Sequence, residues 1–434
     1  RRATSRRLLL SVPGVLLGVL CFAFVLDCIF FRGVAGESSE DVPSQESLVE
    51  RLKAAHPGMT LDDTEEFGIL LDAAPARTPR ARNPEDITWV TQCSIEHLHR
   101  VARLADEWQG PVSLVAFMST PNYINITMRV IECLHAAYPS VSEHVTFHFV
   151  FPVKTMADEA NLSLKATKDA ALSCDAVFAE LLVGEQRRTN YARQDVQYPH
   201  NLLRNVGRRA ARTEFVFVVD ADFLPNPGMR KDFLRFAKRE RLFHPRASSK
   251  KTVYVVPAFE GDMGMPTPNN KSEVVSLLRE GKIRPFYAAV SIFQQGATHY
   301  KRWKLLPSRK GIWTGYEVKW KNMYEPFFIS RNSAPSFDER FRNYGWDRAA
   351  YMCELHVAGY RFAVLDNAYI LHDGFKEDIY FSYPHAREGL KANAIVSRKF
   401  RNELQLKYNT TWRSCESWFL HSVEFLHVFL GTVM

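Results

Sequence analysis

The sequence has no Cys-x-x-Cys pair at metal-ligand spacing, so a structural zinc site has no support. It also lacks a basic stripe interleaved with aromatic residues, the electrostatic footprint of a nucleic-acid surface. The formal charge is +8, but Arg1, Arg2, Arg6 and Arg7 supply half of it at the start, and the rest is spread along the chain, with Lys250 and Lys251 as one short cluster. Nucleic acid is therefore not an expected partner, whereas a mildly basic cleft for a small anion fits the balance. Cysteine is scarce. Of seven, Cys21 and Cys28 fall in an apolar run, leaving Cys93, Cys133, Cys174, Cys353 and Cys415. An odd set admits at most two internal bridges, and spacing does not say which. With 46% hydrophobic and 24% charged residues over 434 positions, a core can form without such staples.

Leu8 to Leu26 is almost wholly apolar, and with Ile29 to Phe31 it approaches the ~20 residues that span a bilayer. Arginines before it and Glu37, Glu40 and Asp41 after it put the amino terminus in the cytosol. The expectation is a single-pass type II protein, with residues 1–7 as cytosolic tail and 8–31 as signal anchor. The plainer reading is a cleaved signal, given Pro13, Gly14, Gly18 and the small residues Val34-Ala35-Gly36. Both deliver the rest of the chain to the secretory lumen. Four Asn-x-Ser/Thr triplets, at Asn125, Asn161, Asn270 and Asn409, fit that route, although Asn270-Lys271-Ser272-Glu273 equally reads as a capping box.

Residues 32–85 are rich in Glu, Asp, Ser, Pro and Ala and read as a luminal stem, with ordered structure expected from Asp86. Strand-like runs then alternate with helical ones, the pattern of an α/β domain with a mostly parallel sheet. Ile87–Thr91, Val112–Met118 and Val145–Phe151 read as strands, and Met128–Ala137 and the stretch after Pro199 as helices. Phe215 to Val219 has no polar alternation, which suits a strand buried on both faces.

That run ends in Asp220-Ala221-Asp222. Acids directly after a buried strand lie at the carboxyl edge of the sheet, where open α/β folds bind ligands. Strand alternation would put both carboxylates on one face, toward one hard cation such as Mn²⁺ or Mg²⁺ that bridges a diphosphate. A bare Asp-x-Asp is as readily a solvated loop. The buried run before it and Phe223-Leu224-Pro225 after it strengthen the metal reading.

Further motifs are Phe337-Asp338-Glu339-Arg340-Phe341, Tyr344-Gly345-Trp346-Asp347, Cys353-Glu354-Leu355-His356 and His372-Asp373-Gly374-Phe375-Lys376. With Asn201-Leu202-Leu203-Arg204-Asn205, Val255-Val256-Pro257-Ala258-Phe259-Glu260, Arg284-Pro285-Phe286-Tyr287 and Glu325-Pro326-Phe327, they make residues 86 to 408 resemble glycosyltransferase family 49. The resemblance implies a GT-A fold over 86–410, a UDP-glucuronate donor, a xylose acceptor on the O-mannosyl glycan of an α-dystroglycan-like glycoprotein, inversion at the anomeric carbon and residence in the Golgi membrane, with other Golgi transferases as further partners.

On that pattern His372 completes the metal shell of Asp220 and Asp222, Gly374 permits close backbone approach, and Lys376 sets a point charge on a phosphate. Asn201, Arg204 and Asn205 precede the metal strand and face the donor, Arg204 as a fork for a carboxylate. A solvated helix face is the plainer reading of that trio. Asp347, at a helix start, is the candidate base, with Asp338 and Glu339 next in line; as a helix cap it needs no catalytic role. Against the glucuronyltransferase branch of the family, Ser291 and Gln294 replace cysteines and Asp347 an Asn, and residues 411–434 form an apolar tail of open role. Two rival readings remain: a UDP-N-acetylglucosamine transferase on the same scaffold, and a non-catalytic Golgi partner of a related transferase.

Overall fold

The computed structural model describes residues 50, 53–54, 57–78, 84–119, 123–156, 173–179, 197–247, 250–307, 309–376 and 384–415. The expected anchor, Asn161 and residues 416–434 lie outside them. Among the described residues no helix is long and apolar enough to cross a membrane.

Among the described residues fourteen strands build two mixed sheets. The amino half contributes β1 (Met59–Leu61), β2 (Phe67–Ala74), β3 (Ile87–Ser94), β4 (Val112–Phe117), β5 (Val145–Pro152), β6 (Phe215–Val218) and β7 (Phe223–Pro225). The remainder are β8 (Thr252–Val256), β9 (Ala258–Gly261), β10 (Ile283–Pro285), β11 (Trp313–Val318), β12 (Phe327–Arg331), β13 (Arg361–Asp366) and β14 (Ile370–Asp373). The larger sheet has ten strands in the order β1-β2-β5-β4-β3-β6-β12-β8-β13-β11, and the smaller has four, β10-β9-β14-β7.

At the centre β5, β4, β3 and β6 run parallel. Every residue of β3 and β4 is buried, as continuous apolar runs require when both faces are covered. The core beneath them includes Trp89, whose ring lies 5.2 Å from Trp108 and 4.9 Å from Phe217 in edge contacts. The helix His200–Ala210 buries Leu202, Leu203 and Val206 against Val115 and Phe117 of β4.

Three expectations need correction. The stretch read as stem contains the β1–β2 hairpin, and β2 pairs antiparallel with the edge of β5. Its acids misled the compositional reading, because they build the turn: Asp62 accepts from the Phe67 amide at 2.8 Å and from Thr64 Oγ1 at 2.5 Å. The ordered body thus begins well before Asp86. At the other end, Cys415 is buried among Phe341, Ala349, Val357, Phe400 and Leu404 and bonded to Cys353, so the opening residues of the expected tail belong to the body. The second bridge joins Cys133 to Cys174, and Cys93 is a buried free thiol. Finally, Asp220 and Asp222 follow the buried strand as expected, but strand alternation does not continue through them. β6 stops at Val218, and a turn closed by the Phe223 amide on Asp220 O, at 3.3 Å, carries the chain into β7 of the other sheet.

That crossing sets the site. β14 runs antiparallel to β7 and parallel to β9, so His372 is in register with Phe223 on one side and Glu260 on the other. The Asp373 amide donates to Asp222 O at 2.9 Å, fastening the two segments together.

Candidate functional site

Asp222 Oδ2 lies 2.8 Å from His372 Nε2 and 3.3 Å from Lys376 Nζ. The His372 ring is held from behind, its Nδ1 2.5 Å from Gly374 O. Gly374 turns that carbonyl back at φ +99°, a conformation that favours glycine. A ring that gives its Nδ1 proton to a carbonyl presents Nε2 forward, the usual way a ligating histidine is oriented. Burial alone would raise the Asp222 carboxyl, yet the charges of His372, Lys376 and Arg100 hold it well below the usual range.

Asp220 faces elsewhere. Its Oδ2 is 2.6 Å from Arg348 Nη2 and its Oδ1 is 3.8 Å from Arg204 Nη2. The turn, unlike a strand, does not keep alternate side chains on one face, so the two carboxylates meet different cations. Among the described residues no three His, Cys, Asp or Glu side chains converge closely enough to cage a metal by themselves. The residues present still suit a hard divalent cation that keeps substrate oxygens in its shell. Among the described residues Asp222 Oδ1 is buried without a hydrogen-bond partner, beside the oriented imidazole.

Arg204 is nearly buried, 4% exposed, and its Nη1 donates to Asn201 Oδ1 at 2.8 Å and Asp347 Oδ2 at 2.5 Å. Its fork is therefore occupied by protein carboxylates. Asn201 and Asn205, expected to face the donor, bond to the Phe337–Glu339 segment. Asn201 Nδ2 donates to Asp338 O at 2.8 Å, and Asn205 exchanges bonds with the Phe337 backbone at 2.8 and 3.0 Å and reaches Glu339 Oε1 at 2.8 Å. They are buried because the helix uses them to clamp the Phe337–Glu339 segment, whose backbone groups would otherwise lack partners.

Asp347 opens the helix Asp347–Val357, yet no side chain caps that end. Its carboxylate goes to Arg204. Burial raises it, but Arg204, His200 and Arg348 leave it below the usual range. Of the alternates, Asp338 is forked by Arg340 at 2.5 to 3.1 Å, and Glu339 accepts from Asn205 and, at 3.3 Å, from Arg209.

Sequence reasoning gave no role to three residues here. Arg348 stands 4.4 Å over the Phe327 ring while pairing with Asp220. Glu260, fully buried in β9, accepts from Arg284 Nε at 2.5 Å, the Tyr287 amide at 3.1 Å and the Lys376 amide at 3.3 Å, which ties down the Lys376 segment. Glu325 stands just ahead of β12 and is half-buried. An acid inside an apolar strand, as in Val256-Pro257-Ala258-Phe259-Glu260, was the available signal for Glu260.

The model of a family described as "Glycosyl-transferase for dystroglycan" matches residues 86–409. Beta-1,4-glucuronyltransferase 1 of Homo sapiens is 34% identical over 334 residues, covering 77% of this chain and 78% of that protein. Its counterpart in Danio rerio is 34% identical over 348 residues, covering 79% and 78%. The human xylosyl- and glucuronyltransferase LARGE1 is 26% identical over 294 residues, covering 67% of this chain and 32% of its own length. A match over residues 86–409, with the Asp222, His372 and Lys376 cluster inside it, assigns the chain to glycosyltransferase family 49 and makes it a UDP-sugar glycosyltransferase.

Proposed function

We propose that the chain transfers glucuronate from UDP-glucuronate to a xylose-terminated glycan, of the O-mannosyl kind carried by α-dystroglycan-like glycoproteins, on a GT-A scaffold and with inversion at the anomeric carbon. The transferred glucuronate follows the named activity of relatives that are 34% identical over three quarters of the chain, and the dystroglycan-like acceptor follows the description of the matching family. The observation that carries the chemistry is Asp222, with one buried oxygen unpartnered and the other facing His372 and Lys376 at a sheet crossing.

Asp222 and His372, with Asp220 on the same turn, would hold Mn²⁺ or Mg²⁺. An ion held there would supply positive charge against the diphosphate of the leaving UDP. Lys376, about one-third exposed, sets its ammonium beside the same edge and gives the phosphates a second fixed charge. Glu260 keeps the Lys376 backbone in place through the bond to its amide. Arg204 acts one layer further in, aligning Asp220 and Asp347 rather than gripping the sugar.

A screen of UDP-sugars with a UDP-release readout and a xyloside acceptor tests the assignment. Release from UDP-glucuronate alone supports it, and preference for UDP-N-acetylglucosamine replaces it with that donor. Residence in the Golgi lumen behind a type II anchor is part of the same reading. It predicts a glycan on Asn409, which is exposed, and recovery of the protein with membranes. A glycan-free cytosolic product refutes that part.

A further inference from the structure

Glu325 lies two residues before β12. Because β12 runs antiparallel to β6 and to β8, its beginning lies at the edge where β6 delivers the Asp220 turn. The other acids there are engaged: Asp220 by Arg348, Asp222 by His372 and Lys376, Asp347 by Arg204, Glu260 by Arg284. Glu325 differs. Its amide donates to Gln294 O at 2.8 Å and its carbonyl accepts from Gln295 Nε2 at 2.8 Å, which fixes the backbone, while its carboxyl has no hydrogen-bond partner among the described residues.

The charged and titratable groups around that carboxyl are Asp347 and Arg348 on one helix, Arg204 on another, Asp220 on the turn and Tyr344, whose hydroxyl is bonded to that of Tyr287. Next to it, the Phe327 ring packs 4.5 Å from Phe223 and 5.8 Å from Phe286, an apolar floor beside the metal turn. A half-buried carboxylate fixed by its backbone beside the Asp220 turn, with no hydrogen-bond partner at its head among the described residues, is the arrangement a general base needs.

We propose that Glu325 takes the proton from the acceptor hydroxyl, and that Asp347 is a positioning residue that orients Arg204. The inference rests on the reading of the chain as an inverting UDP-sugar transferase. As the acceptor oxygen bonds to the anomeric carbon, the bond from that carbon to the diphosphate oxygen breaks. UDP leaves with the electron pair, and the hydroxyl proton passes to a Glu325 carboxylate oxygen. The electrostatics agree. Burial and the Asp347 charge, with a smaller push from Asp220, move Glu325 up to about 8 against Arg348 and Arg204, while Asp347 is held low by its own pairing. Glu325 is thus the stronger base of the two.

The test compares the full chain with Glu325→Gln and Glu325→Asp, using UDP-glucuronate and a xyloside. Glu325→Gln should lower kcat by about 100-fold or more, with UDP binding by calorimetry unchanged. Glu325→Asp should restore part of the rate, and the parent rate should climb with pH through about 8, a limb absent from the Gln variant. Transfer by Glu325→Gln within a few-fold of the parent overturns the inference. Loss of UDP binding along with transfer also overturns it, making Glu325 structural. If the parent itself releases no UDP from any UDP-sugar, the transferase reading fails first and takes this inference with it.

Discussion

Asp222 and His372 are 150 residues apart in sequence and 2.8 Å apart in space. They meet because the chain leaves β6 for the smaller sheet at the Asp220 turn, and β14 returns beside β7 with His372 opposite Phe223. If the pair binds a cation, Asp222→Asn should abolish the calorimetric Mn²⁺ signal and cut transfer by about 100-fold, while circular dichroism stays at the parent value. Mn²⁺ binding equal to the parent would remove Asp222 from the metal site.

Arg204 is a test of a different kind. Its fork serves Asn201, Asp347 and Asp220. Truncating one partner of a buried ion pair costs about 3 to 5 kcal/mol. Arg204→Ala should therefore lower Tm sharply and weaken UDP and UDP-glucuronate to the same degree. A loss confined to UDP-glucuronate would return Arg204 to the sugar carboxylate.

Acidity gives a signed prediction. Burial and nearby arginines push His200 and His356 down to about 4 from 6.5, so the unfolded chain takes up their protons first. Their contribution is complete above about 6.5 and is lost as pH falls toward 4. Glu325 works in the opposite sense. Its folded value near 8 lies above the ordinary 4.5, so its ionisation costs stability increasingly between those values. Glu325→Gln should raise Tm relative to the parent at pH 8, with the gap closing near 4.5. A gap that widens toward acid would contradict the burial of that carboxyl.

The Cys353–Cys415 bridge closes 62 residues of chain separation. On the loop-entropy scale such a bridge is worth about 4 kcal/mol. Cys415→Ser should lower Tm by several degrees, because the bridge ties residues 411–415 to the cluster of Phe341, Phe400 and Leu404. An unchanged Tm would mean that residues 411–415 add nothing to the fold.

Much of this architecture could be read from the sequence where burial is two-sided. β3, β4, β5 and β6 show themselves as apolar runs, and Asn270 caps its helix as the box pattern requires, its Oδ1 accepting from Glu273 N at 3.1 Å. Elsewhere one-dimensional cues conflict. The β1–β2 hairpin hides behind the acids of its own turn, and the Asp220 turn borrows the look of a strand continuation. Asn201 and Asn205 resemble ligand contacts because buried amides that satisfy a backbone and amides that grip a donor are the same residues. Glu325 carries no periodic signal at all. Only the antiparallel register of β12 against β6 brings it to the edge.

The central claim is metal-assisted transfer from a UDP-sugar at the Asp222, His372 and Lys376 cluster, and one assay reaches it most directly. UDP release by the purified protein is followed with UDP-glucuronate and a xyloside, first with Mn²⁺ and then with excess chelator. Release that needs both the acceptor and the metal, and that returns when Mn²⁺ is restored, is the predicted result. Full activity in excess chelator, or no release with any UDP-sugar in the presence of Mn²⁺, would contradict it.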